Sequence, residues 1–216
     1  MNSSPMIWWV VATAMGLALG FVGALQTGML IEFGFNWRMH WRWIEQPPDQ
    51  NASEYVSTLL SMLAGGAILG FAQAFVLPGH SIPLNRWILA TVTGFGVAAI
   101  IIDWPLIALG VLGAIPGPVE PIIVTVGGGS FAGVLQYLSL RRKGIFTRRW
   151  LLLWVGGLLA GIVPTAFVMI VLESLGMAPS WPLEVFLSGF IIGGVAAWIS
   201  GRALFAALPE TRSSIA

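Results

Sequence analysis

The chain contains no cysteine and only two histidines, and charged residues make up 9% of its 216 positions. The missing thiol excludes disulfides, thiolate catalysis and iron–sulfur ligation together. The two histidines, His40 and His80, fall on opposite sides of the membrane in the topology argued below, so they cannot share a metal site. The shortage of charge is the most decisive absence. A soluble domain carries about 25% charged residues. A chain with 57% hydrophobic residues and a mean hydropathy of +0.87 cannot cover its surface for water. Lipid is the solvent that tolerates it. A net charge of +1 also provides no field to draw nucleic acid.

The hydrophobicity is organised into long runs. A spanning helix needs about 20 mostly apolar residues, and six segments qualify, at about 6–30, 53–77, 86–103, 119–140, 150–172 and 182–206. Gly and Pro mark the joins, among them Pro47-Pro48, Pro78-Gly79 and Pro116-Gly117-Pro118. The first run, Ile7 to Ile31, is too long for the h-region of a signal peptide, about 7–15 residues. It reads as a retained span. The expected fold class is therefore all-α: one polytopic transmembrane helical bundle of about six spans over residues 1–216.

Charge placement orients the bundle. Arg141, Arg142, Lys143, Arg148 and Arg149 crowd the join after the fourth segment, and the positive-inside rule places that join in the cytoplasm. With six spans both termini are then inside. Arg86, Arg202 and Arg212 also fall inside, and eight of the nine acidic residues fall outside or at the outer boundary. Five or seven spans would mix the charges. Tryptophan favours the headgroup level. Trp8, Trp9, Trp87, Trp150 and Trp154 fall near inner ends, and Trp37, Trp41, Trp43, Trp104 and Trp181 near outer ends. They read as membrane anchors.

Two stretches do not fit a simple hairpin array. In residues 33–44, Phe33, Trp37, Trp41 and Ile44 form one helical stripe, so a separate amphipathic helix on the outer membrane surface is expected. Residues 104–117 are apolar but too short to span. They either extend the third segment past Pro105, which would put Asp103 inside the membrane, or form a re-entrant piece.

The second and fourth segments share a pattern. Gly66, Gly70, Gln73 and Leu77 match Gly129, Gly133, Gln136 and Leu140 as G-x-x-x-G-x-x-Q-x-x-x-L, and beyond it Trp87 matches Trp150 and Gly94 matches Gly157. Hairpin 2–3 thus repeats as hairpin 4–5 in the same direction, which places a symmetry axis along the membrane normal. The first segment carries Gly23, Gln26 and Leu30 with the same local spacing, running the opposite way. Residues at i, i+4, i+7 and i+11 share one helix face. Gly66, Gly70, Gly129, Gly133, Gly157 and Gly161 would let neighbouring backbones approach, and a glutamine on that face can hydrogen-bond across the contact. Gln26, Gln73 and Gln136 are therefore candidates either for a helix clasp or for the lining of a polar cavity.

The stretches 70–96 and 133–161, with G-x-x-Q, Leu140-Arg141-Arg142 and downstream Trp150, resemble hairpins of uncharacterised bacterial multi-pass membrane proteins. The likeness covers about a third of the chain. It implies a fold type and, for a bacterial source, the inner (cytoplasmic) membrane. It implies no activity.

No catalytic constellation is visible. Ser130 follows Gly128-Gly129 as in rhomboid intramembrane proteases, but no histidine follows in the last two segments to act as its base. Gly127-Gly128-Gly129 lacks the Lys-Ser/Thr of a phosphate loop. No cofactor or metal is expected. Asp103 and Glu120 flank the 104–117 stretch and are the candidates for outer access of an ion or proton. The basic run 141–149 suits anionic lipid headgroups or a docking partner. The expected partners are the lipid bilayer and a membrane protein or second copy. The expected role is structural or accessory, with a small transporter or substrate-binding membrane component as the alternative.

Overall fold

The structure, a computed structural model, describes residues 4–41, 50–77, 83–109, 119–141, 148–177 and 179–207. Among them there is no strand. The helices are α1 (Ser4–Trp41), α2 (Gln50–Ala74), α3 (Leu84–Ala98), a π-helical turn (Ala99–Asp103), α4 (Trp104–Ala108), α5 (Val119–Leu140), α6 (Arg148–Ser174) and α7 (Trp181–Ala207). Among the described residues five stretches are long and apolar enough to cross a membrane: Pro5–Ile31, Tyr55–Ala74, Leu84–Leu106, Arg148–Ser174 and Pro182–Ala206. α5, of 22 residues, lies beside them with a length of about 33 Å. The protein is a helical membrane bundle.

Local chemistry sets the helix ends. α3 starts at Pro83, whose carbonyl accepts from the N–H groups of Arg86 and Trp87 at 3.0 and 3.1 Å. α7 starts behind Ser180, whose carbonyl accepts from Leu183 and Glu184, and Glu184 places a carboxylate at the positive end of the helix dipole. α6 ends on Gly176, whose φ of +70° is the left-handed conformation that closes a helix C-terminus.

Two points differ from or resolve the sequence reading. Residues 33–41 are not a separate surface helix. They continue α1 without a break, making one helix of 38 residues, about 57 Å long. Gly34 alone costs a helix only about 1 kcal/mol, and no proline stands between Ile31 and Trp41 to end it. Residues 42–49 lie outside the described set. Of the two options for 104–117, the first holds as far as Leu109: the third span runs on through a π-turn into α4. The wide turn precedes Pro105, whose ring would clash with the carbonyl four residues back in a regular helix. Asp103 ends the π-turn and is 3% exposed. Residues 110–118 lie outside the described set.

The helices pack in a ring. α1 lies on α2, α2 on α3, α3 on α5, α5 on α6, α6 on α7, and α7 back on α1. Large apolar side chains such as Leu152, Val163, Phe167 and Ile170 cover the outside of α6, as lipid contact requires.

Candidate functional site: a buried polar clasp

Gln73 and Gln136 lie on the inner faces of α2 and α5, each 1% exposed. A buried amide needs partners, because an unpaired polar group in an apolar medium costs about 1–3 kcal/mol. Gln136 Nε2 donates to Thr91 Oγ1 at 2.8 Å and to Gln73 Oε1 at 3.5 Å. Gln73 Oε1 also accepts from Trp87 Nε1 at 3.1 Å, and Gln73 Nε2 donates to Thr13 Oγ1 at 3.3 Å. Thr91 passes its own proton to the Trp87 carbonyl at 2.9 Å, which leaves its oxygen free to accept from Gln136. One network therefore ties α1, α2, α3 and α5 together. Gln136 Oε1 has no hydrogen-bond partner.

Tryptophans close this centre. Trp9, Trp87, Trp150 and Trp154 are all at most 1% exposed. Trp9 meets Trp87 edge-on at 5.9 Å, Trp87 meets Trp150 at 6.2 Å, and Trp150 stacks on Trp154 at 6.2 Å. Trp154 Nε1 donates to the Gly129 carbonyl at 2.8 Å. The anchor reading is corrected for these four. Each lies near a helix end but on the face that turns into the bundle, so its ring fills the core. Trp8, 62% exposed, does point outward.

The glycines mark the closest approaches. A Cβ added to Gly70 would lie 3.2 Å from Ile88 Cα, and one on Gly66 3.1 Å from the Thr91 carbonyl oxygen. Cβ atoms on Gly157 and Gly161 would each lie 2.7 Å from backbone, at Ala196 Cα and Ile192 Cα. Those on Gly129 and Gly133 would meet the side chains of Leu158 and Trp154 at 2.9 and 2.5 Å.

The remaining candidates are dispersed. Gln26 is exposed on α1 and takes no part in the network. Asp103 is buried beside α2, where the adjacent Trp104 Nε1 donates to the Tyr55 carbonyl at 3.2 Å. The side chain of Glu120 lies outside the described residues, as do Arg142 and Lys143. Arg141, Arg148 and Arg149 are exposed. Among the described residues no group of His, Asp or Glu could hold a metal. A cleft between α1, α2 and α3, about 10 Å³ in volume, is lined by apolar residues such as Leu17, Phe21, Met62 and Phe95.

Sequence reasoning missed Thr13, Thr91 and the inward tryptophans. The signal was present: Trp87, Thr91 and Gly94 stand at i, i+4 and i+7, one helix face, as do Trp9, Thr13 and Gly16. Comparison with family models, curated proteins and solved structures finds no match.

Proposed function

We propose that this protein is a structural or accessory component of a membrane assembly, working through helix and lipid contacts. One observation carries the reading: the polar atoms at the bundle centre bond mainly to one another, and four buried indoles pack around them. Glutamines arranged in this way hold helices together and are poorly placed to meet a solute. The orientation belongs to the same reading, with both termini and the 141–149 run on the cytoplasmic side, beside anionic headgroups. For a bacterial source, the location under this reading is the inner membrane.

The test is purification in mild detergent followed by mass spectrometry of both protein and small molecules, for the parent and for the Gln73→Leu/Gln136→Leu pair. The reading expects a stoichiometric protein partner or a second copy, and no small molecule that depends on the glutamines. A small molecule bound by the parent and lost from the folded double variant would contradict it.

A second reading, a small transporter, has Asp103 in its favour. A carboxyl group at 3% exposure on a π-turn of a spanning helix is costly to keep, and such turns recur at functional sites. Under it, Asp103→Asn abolishes a pH-dependent flux in reconstituted vesicles. An unchanged flux removes this reading.

A further inference from the structure

We infer that the ring is built from three equivalent helical hairpins, and that the third is split between the first and last helices, with α7 leading into α1 as α2 leads into α3 and α5 into α6. This extends the two-hairpin reading of the sequence, and it stands apart from the choice between accessory and transport roles.

The first line of support lies in the residues. On the leading helices, Gly66, Gly70, Gln73 and Leu77 align with Gly129, Gly133, Gln136 and Leu140, and with Gly193, Ala197, Ser200 and Leu204. On the returning helices, Trp87-Thr91-Gly94 and Trp150-Trp154-Gly157 align with Trp9-Thr13-Gly16, all at spacings of four and three. The tryptophan of each triplet is buried, and Trp87 touches both of the others.

The second line is contact geometry, which the alignment does not force. Within the first hairpin, a Cβ on Gly66 would meet the Thr91 carbonyl oxygen, Val92 Cα and Phe95 Cβ, each at 3.1 Å. Within the split pair, a Cβ on Gly193 would meet the corresponding atoms or residues: the Thr13 carbonyl oxygen at 3.1 Å, Ala14 Cα at 3.2 Å and Leu17 at 3.0 Å. In the middle hairpin, one on Gly129 would meet Leu158, which aligns with Phe95 and Leu17. The seams between hairpins also correspond. Gly94 approaches the backbone of Ala132, Gly157 that of Ala196 and Gly16 that of Leu69. Leu69, Ala132 and Ala196 are aligned positions.

The third line is the clasp. Each glutamine reaches over a seam to the threonine of the neighbouring hairpin, Gln73 to Thr13 and Gln136 to Thr91. The third such pair would be Ser200 and Trp154. Both are substituted, in a compensating sense: a short side chain replaces glutamine where a bulky indole replaces threonine. Ser200 Oγ turns back to the Ala196 carbonyl at 2.7 Å. Trp9 Nε1, which aligns with the indole N–H that Trp87 gives to Gln73, has no hydrogen-bond acceptor.

Two measurements on the full chain test this. The first is a circular permutant that joins the chain ends by a short polar linker and reopens within residues 110–118. The ends of α7 and α1 already lie together, since Trp9 packs on Phe205 at 6.4 Å. The permutant is expected to insert and to melt cooperatively within about 5 °C of the parent. The second is a double-mutant cycle in detergent. Ser200→Gln alone overfills the site and Trp154→Thr alone empties it, so each lowers the melting temperature by about 5–10 °C. The combined variant regains at least about half of the summed loss. The inference requires both results. A permutant without a cooperative melt, or a combined loss equal to the sum of the two, overturns it.

Discussion

Gln136 Nε2 has two protons and two acceptors, and Gln73 Oε1 has two lone pairs and two donors. A membrane interior favours such pairing, since no water is at hand to take up a loose bond, and Gln136 Oε1 is the one atom of the two amides left without a partner. Thr91→Val removes one acceptor and should lower stability by about 0.6–2 kcal/mol, read from the unfolding midpoint in mixed detergent. The glycines give a sharper contrast. A Cβ at Gly156 meets nothing within 4 Å, whereas its neighbour Gly157 touches the Ala196 backbone. Gly156→Leu should shift stability by no more than about 0.5 kcal/mol, and Gly157→Leu should cost about 1–3 kcal/mol or more. Equal effects at the two positions would refute the packing seen between α6 and α7.

At the scale of elements, α3 and α4 form one span interrupted by the π-turn. A π-turn accommodates one extra residue. Deleting Ile101 should restore a regular turn without turning α4, so Trp104 keeps the Tyr55 carbonyl while the Pro105 ring meets the carbonyl four residues back, at a loss of about 3 kcal/mol in the unfolding free energy. Deleting Val92 instead moves Gly94 off Ala132 and should abolish recovery of a monodisperse protein in size-exclusion chromatography. The elements were largely legible in the sequence, because a 20-residue apolar run has few other fates. Their ends were less so. The 33–41 stripe has the periodicity of a surface helix, and periodicity alone does not reveal that it continues α1. The tryptophans were misread for a related reason. Position along a helix suggested a membrane anchor, while the direction around the helix, which decides burial, emerges only once neighbours are placed.

Among the described residues the molecule is a ring with an apolar outside and one polar network set in a largely apolar core. The proposed orientation rests on charge placement in the sequence, so it has its own test. The chain lacks cysteine, which makes introduced thiols unambiguous. Ser180→Cys and Asn85→Cys each place a thiol at an exposed position, at the starts of α7 and α3, which run in opposite directions. An impermeant maleimide should label the first in intact cells and the second only after permeabilisation. The reverse pattern would invert the topology. The centre decides between clasp and cavity. A clasp loses stability when both glutamines become leucine, while a solute site, kept polar at a cost, gains stability from the same change. The most direct measurement is the unfolding free energy of Gln73→Leu/Gln136→Leu against the parent in one detergent. A clasp predicts a decrease of about 1–3 kcal/mol; an unchanged or increased value would contradict it.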